Sequence, residues 1–223
     1  MDSYTRIIEY FCCNFLNHDS MKKTPIEVFD NWVTLGKDEG MKKNHSEAVN
    51  NMISFATRKL EPFRFIDAGC GNGWVVQKVS KLSHCIWATG IDGAFNMINK
   101  AKTTDPTNNY VCENLLGWFP EEKVDLVHSM EVFYYLQQPE NLIQHIYSKW
   151  LKEEGRLIIG LDFYQENPAS HTWPEECGIS IMRLLPELTW KNFFVNAGFR
   201  AVEAWKVGEK EHWSGTLVVT GIK

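Results

Sequence analysis

Long apolar runs, paired cysteines and a surplus of basic charge are all missing from this chain, and each absence narrows what it can be. No apolar stretch approaches the ~18 residues that a membrane span requires, so no transmembrane segment is expected. The opening residues, "MDSYTRIIEYFCCNFLNHDS", lack a basic segment followed by an apolar one, so no secretory leader is expected either. The six cysteines (Cys12, Cys13, Cys70, Cys85, Cys112, Cys177) contain no C-x-x-C spacing, which removes the usual zinc and dithiol frameworks. Cys70, Cys85 and Cys112 lie in or beside apolar segments, as small buried hydrophobes do. A reducing, cytoplasmic setting is the resulting expectation. Lys and Arg number 23 against 28 Asp and Glu, a net charge of −5. That balance offers no general attraction to a phosphate backbone, and a nucleic-acid partner is disfavoured. Repeats and low-complexity tracts are absent as well.

What is present is an ordinary globular composition over 223 residues, 44% hydrophobic and 23% charged, enough for one domain with a helical extension. Aromatics reach 13% with nine Trp, which fits either an aromatic-rich core or an aromatic-lined pocket. Residues 1–60 read as helical: "SYTRIIEYFCCNFL" and "NHSEAVNNMISFATRKL" have helical periodicity, the second with Asn44 or Ser46 as N-cap. Between them, "TPIEVFDNWVTLGKDEGMKK" is interrupted by Pro25, Gly36 and Gly40.

From residue 63 the texture changes to short apolar runs alternating with helical stretches. "FRFIDAG", "CIWATGID", "NYVCEN", "VDLVHSM" and "GRLIIGLDF" read as strands. "GWVVQKVSKLS", "FNMINKAKTT", "PENLIQHIYSKWL" and "LTWKNFFVNAGF" read as helices, and "RAVEAWKVGEK" and "WSGTLVVTGIK" as a closing antiparallel pair. The alternation implies an α/β fold, a seven-stranded mostly parallel sheet with helices on both faces and an antiparallel last strand, plus the N-terminal helical extension. The expected division is a helical lid or extension over 1–60 and a second domain over 61–223.

The stretch "FIDAGCGNGW" carries three glycines in a turn between the first strand and the helix after it. Such a turn aims free N–H groups and the positive helix end at a ligand, although glycine-rich turns also arise from packing alone. The second strand ends at Asp92, 19 residues past Gly73, where a carboxylate can accept from both hydroxyls of a ribose. A dinucleotide fingerprint needs a small residue where this chain has Trp74. The turn reads D-x-G-x-G-x-G instead, and Asp67 suits an ammonium better than a pyrophosphate.

With these features, "FIDAGCGNGW" resembles motif I, and "GID" motif II, of the class I S-adenosylmethionine-dependent methyltransferases. The resemblance runs on through "YVCENLLGWFPEEKVDLVHSMEVFYYLQQPENL" and "WLKEEGRLIIGLDF", so that residues 63–223 fit the pattern. It implies that the methionine part of S-adenosylmethionine lies against Gly69, Cys70, Gly71 and Gly73, with Asp67 near its amino group and S-adenosylhomocysteine as product. Asp92 would hold the ribose and Gly93 leave room for the nucleoside. Asn114, or alternatively Glu113, would meet the adenine amino group, with Leu115 against the ring. Met130 would lie near the methyl group or pack in the core.

Methyl transfer can be driven by positioning and desolvation, and a base is needed only where the acceptor must lose a proton. Nucleic-acid amino-methyltransferases carry a polar residue, two prolines and an aromatic after the fourth strand, whereas this chain has "SMEVFY". Metal-dependent catechol enzymes carry an Asp-Asn pair after the fifth strand, where this chain has Asp162 and Phe163, so no metal is expected. Glu131 and Glu140 match the spacing of the paired glutamates of arginine methyltransferases, yet "QQPEN" reads as a helix start. Candidate bases are Tyr135, His171 and His212, with His45 a further histidine in the extension; Trp32, Tyr134 and Trp173 are candidate acceptor contacts. The expected partner is a small-molecule acceptor. A protein acceptor and a non-catalytic cofactor-binding module are the alternatives, and a nicotinamide dehydrogenase is weakened by Trp74.

Overall fold

The computed structural model describes residues 21–60 and 62–223. The helix expected in "SYTRIIEYFCCNFL", with Cys12 and Cys13, lies outside the described residues.

Two helices come first, α1 (Pro25–Thr34) and α2 (Gly40–Thr57), joined by a 3-10 turn over Lys37–Glu39. Thr24 starts α1 with a reciprocal cap: its hydroxyl accepts from Glu27 N, and the Glu27 carboxylate accepts from Thr24 N at 2.8 Å. Pro25 at the first position fits a site where no N–H is needed. Gly36 ends α1 in the left-handed region, φ 68°. The expected cap at Asn44 or Ser46 is not observed. Gly40 takes a right-handed helical conformation, φ −69°, so the 3-10 turn runs straight into α2 and both residues fall inside that helix.

The sheet follows as β1 (Phe63–Ala68), α3 (Trp74–Val79), β2 (Cys85–Asp92), α4 (Phe95–Thr104), β3 (Asn109–Cys112) and β4 (Val124–Met130). Then come α5 (Pro139–His145), continued by a wider π turn over Ile146–Trp150, and β5 (Leu151–Leu161). The chain closes with α6 (Trp173–Glu176), α7 (Glu187–Ala197), β6 (Arg200–Val207) and β7 (Thr216–Ile222). The seven strands lie in the order β3-β2-β1-β4-β5-β7-β6, and β7 runs antiparallel to both neighbours. β5 starts four residues before the expected "GRLIIGLDF", because Val124 pairs with Leu151 ahead of a register shift.

Alternate side chains of each strand feed two cores. Phe65, Leu126, Ile158 and Val218 pack with α2, α3 and α4, while Ile66, Val127, Ile159 and Val219 pack with α5 and α7. α2 is part of the first core through Val49, Met52, Ile53 and Ala56. Helices on both faces and strand order reversing between β1 and β4 place a crevice at the carboxyl ends of the strands, where open α/β sheets bind ligands. Among the described residues no helix is long and apolar enough to cross a membrane.

Candidate active site

The crevice holds a cavity of about 290 Å³. Its floor is the strand ends and the loops that leave them: Asp67 on β1, Asp92 on β2, Met130 and Glu131 at the end of β4. Its roof is α1 and the start of α2, through Ile26, Phe29, Trp32, Met41 and His45.

At the glycine loop, Gly71 has φ 51° and a Cβ there would stand 2.8 Å from Met41 Cε. A Cβ on Gly69 would stand 2.2 Å from Val132 Cγ2. The close approach that removes side chains at these positions therefore includes the protein's own roof and the loop after β4. Gly73 does not line the cavity; it starts α3 and packs on the Tyr110 ring. Trp74 is partly buried and reaches the cavity. The Asp92 carboxylate clamps the loop, accepting from Gly71 N at 2.9 Å and from Ala94 N at 2.8 Å. Burial raises its pKa although these two N–H groups oppose the shift. Asp67 is buried and bonded through Oδ1 to His128 Nδ1 at 2.7 Å. Cys70 is buried and its thiol is pushed well above the usual range, so it stays protonated.

Gly93, Glu113, Asn114 and Leu115 line the end of the cavity beside β2 and β3. Asn114 Oδ1 accepts from Leu116 N at 2.9 Å, so the amide oxygen already serves its own turn. Glu113 is held in place by its main chain, with N donating to Asp92 O at 3.1 Å.

The other end is aromatic and acidic. Glu131 leaves β4 in the left-handed region, φ 61°, rare for a residue with a side chain. This turns its carboxylate inward, where Oε1 accepts from Asp162 N and Oε2 from the Tyr134 hydroxyl, both at 2.5 Å. Asp162 at the end of β5 accepts from Thr216 Oγ1 at 2.6 Å and approaches His45 Nδ1 at 3.6 Å. Burial raises Asp162 to about 6 and lowers His45 to about 4. Burial, with Asp162 nearby, holds Glu131 well above the carboxylate range. Tyr135 and Trp173 line this end, and Phe29 stands edge-on to Tyr135 at 5.1 Å between centroids.

The expected acceptor residues therefore separate. Tyr135, Trp32 and Trp173 reach the cavity; Tyr134 is fully buried behind Tyr135 and touches Glu131. His171 and His212 do not line it. His171 is exposed with Nε2 at 3.1 Å from Gln165 O, and His212 is exposed beside Glu211. Glu140 is exposed in the first turn of α5, so only Glu131 of that pair reaches the cavity. Sequence reasoning passed over Phe29 and His128 entirely. Phe29 carried a signal, sitting three residues before Trp32 on one helical face.

Residues 41–204 match the family model described as "Methyltransferase domain". The chain belongs to the class I S-adenosylmethionine-dependent methyltransferases. Over 113 residues the methyltransferase is 30% identical to trans-aconitate 2-methyltransferase of Rhizobium rhizogenes, covering 51% of this chain and 43% of that one. It is 24% identical over 143 residues to malonyl-[acyl-carrier protein] O-methyltransferase of Bacillus cereus, covering 62% and 53%. The chain thus spans about half the length of the curated relatives it matches. Among solved structures, the methyltransferase bound to the Trm112 activator of Haloferax volcanii superposes with a TM-score of 0.74 at 24% identity, over 87% of this chain and 96% of that one. N-methyltransferase NodS of Bradyrhizobium japonicum with S-adenosylhomocysteine gives 0.62 at 16%, over 100% and 99%.

Proposed function

We propose that this methyltransferase acts on a small molecule held at the aromatic, acidic end of the cavity. The observation that carries this reading is the roof: α1 covers the strand ends, so that donor and acceptor share a covered cavity rather than an open groove on which a peptide would lie. The lining suits the methyl donor. Asp67 and Asp92 match an ammonium and a ribose diol, and no Lys or Arg for a pyrophosphate is present among the described lining residues. Bound S-adenosylmethionine supplies an activated methyl group; the protein positions the acceptor and excludes water. Asp92 keeps lone pairs for the ribose beyond its two loop bonds. Glu113, whose carboxylate no turn engages, takes precedence over Asn114 as acceptor for the adenine amino group. The lid consists of α1 and the turn after it, and α2 stays with the core.

The reaction proceeds without a metal. Asp162 is engaged by Thr216, and the Phe163 ring is buried against Tyr134, at 5.5 Å, in place of a second oxygen ligand. Calorimetry with S-adenosylhomocysteine and with NAD, then turnover of labelled S-adenosylmethionine on fractionated metabolite extracts, tests the reading. Binding of the first alone and label transfer to a small molecule are expected. Binding without transfer to any fraction would leave a cofactor-binding module instead. Activity should persist in excess chelator, and rescue of a chelated enzyme by magnesium would refute metal independence.

A further inference from the structure

The charged residues that line the cavity are of one kind. Asp67, Asp92, Glu113 and Glu131 face it with His45, and no Lys or Arg does among the described residues. An acceptor carrying a carboxylate would meet carboxylates and find no cationic side chain to pair with among the described lining residues. The aromatic side chains at the acceptor end, Phe29, Tyr135 and Trp173, carry the electron-rich ring faces that attract cations.

We infer that the acceptor is an amine, which enters as its ammonium ion and is held between these rings and the Glu131 carboxylate. The inference rests on the methyltransferase reading above. Glu131 is fixed for this task rather than merely nearby. Its left-handed backbone and its two short bonds, to Asp162 N and the Tyr134 hydroxyl, hold the carboxylate at one place, with the second lone pair of each oxygen left over. An ammonium has no lone pair and cannot accept a methyl group, so a proton must leave first. Glu131 takes it: one N–H bond breaks, one O–H bond forms on the carboxylate, and the bonding pair stays on nitrogen as the nucleophile. The shift of the Glu131 carboxyl above the ordinary carboxylate range brings its basicity nearer to that of the amine, and burial, the cause of that shift, favours the neutral pair that results. The acid later returns its proton to water.

The test is a binding measurement. The full chain is first titrated with S-adenosylhomocysteine; failure to bind at this stage would overturn the methyltransferase reading itself. With that product saturating, three probes small enough for any acceptor cavity are compared by calorimetry: methylammonium, acetate and methanol. Methylammonium should bind at least about tenfold more tightly than either of the others. Equal affinities, or acetate the tightest, would overturn the inference while leaving the methyltransferase reading intact. Glu131→Gln should lose about tenfold in methylammonium affinity and keep its affinity for S-adenosylhomocysteine. Unchanged methylammonium affinity in that variant would remove Glu131 from the role.

Discussion

Asp92 shows how one carboxylate can serve the fold and the ligand together. It ties Gly71 N and Ala94 N, so the loop and the start of α4 keep their spacing before any ligand arrives. Replacing it by Asn preserves the shape and one acceptor but removes the charge. Each charge-assisted bond to a ribose hydroxyl is worth ~1.5–3 kcal/mol, so Asp92→Asn should weaken S-adenosylhomocysteine binding by roughly ten- to a hundredfold. Calorimetry giving equal affinity for the two proteins would exclude a charge on the ribose. Asp92 was legible in the sequence because its meaning is local: a strand, a turn and a fixed spacing. Glu131 was not. Its partners are Asp162, 31 residues on, and the cavity wall that α1 and α2 bring from the other end of the chain. The histidines erred in the opposite direction. Residue type marked His171 and His212 as bases, but only the fold decides which way a loop side chain points, and both point to solvent.

At the scale of elements, the link that matters most is between α1 and α4. α4 begins at Phe95 after Ala94, which has no side chain able to cap it. Asp30 of α1 supplies the cap from outside, accepting from Asn96 N at 2.6 Å and from Asn96 Nδ2 at 2.8 Å. The turn after α1 is tied down as well. Asp38 is buried, with Lys100 at 2.7 Å and Asn72 Nδ2 at 3.0 Å, so α4 and the glycine loop hold it from two sides. The roof is thus latched by polar contacts, each worth about 1 kcal/mol, around a small apolar cluster of Trp32 with Ala94 and Met97 that is separate from the larger core holding α2. Asp30→Ala should leave the protein folded and raise amide exchange over residues 25–36 by several-fold, with less effect on 45–57. A uniform rise along the chain would mean that α1 is an integral part of the core and no lid. Strands and most helices of the sheet were legible because their apolar periodicity matches their burial; β2 and α4 have the expected limits. The extension was harder to read, since Gly40 can as easily continue a helix as break one, and only packing on the sheet decides.

For the molecule as a whole, the acidic end of the cavity sets stability against function. Burial raises Asp162 from 3.8 to about 6 and holds Glu131 well above its ordinary value, so each favours folding in its protonated form. Their contribution is complete below the unfolded values near pH 4 and is lost as pH rises through the folded ones. His45 has the opposite sign. Its pKa falls from 6.5 to about 4 on burial, so its contribution is complete above 6.5 and is lost as pH falls through 4. Between about 4 and 6 the imidazole and the Asp162 carboxyl are both uncharged in the fold, and as pH rises through this window the contribution lost at Asp162 and the one gained at His45 oppose each other. Glu131→Gln separates the two demands. The amide oxygen can still accept from Asp162 N, and the Tyr134 hydroxyl can accept from the amide nitrogen, so the packing survives without the charge. At pH 8 the variant should be more stable than the natural chain by on the order of 1 kcal/mol, a rise of about 2–4 °C in Tm for a domain of this size. Near pH 4 the advantage should vanish, because the natural glutamate is then protonated as well. Thermal unfolding followed across that pH range checks this. A variant no more stable at pH 8 than at pH 4, relative to the natural protein, would show that the cavity does not penalise the carboxylate. Glu131 would then have no strained charge to give up when a cation arrives.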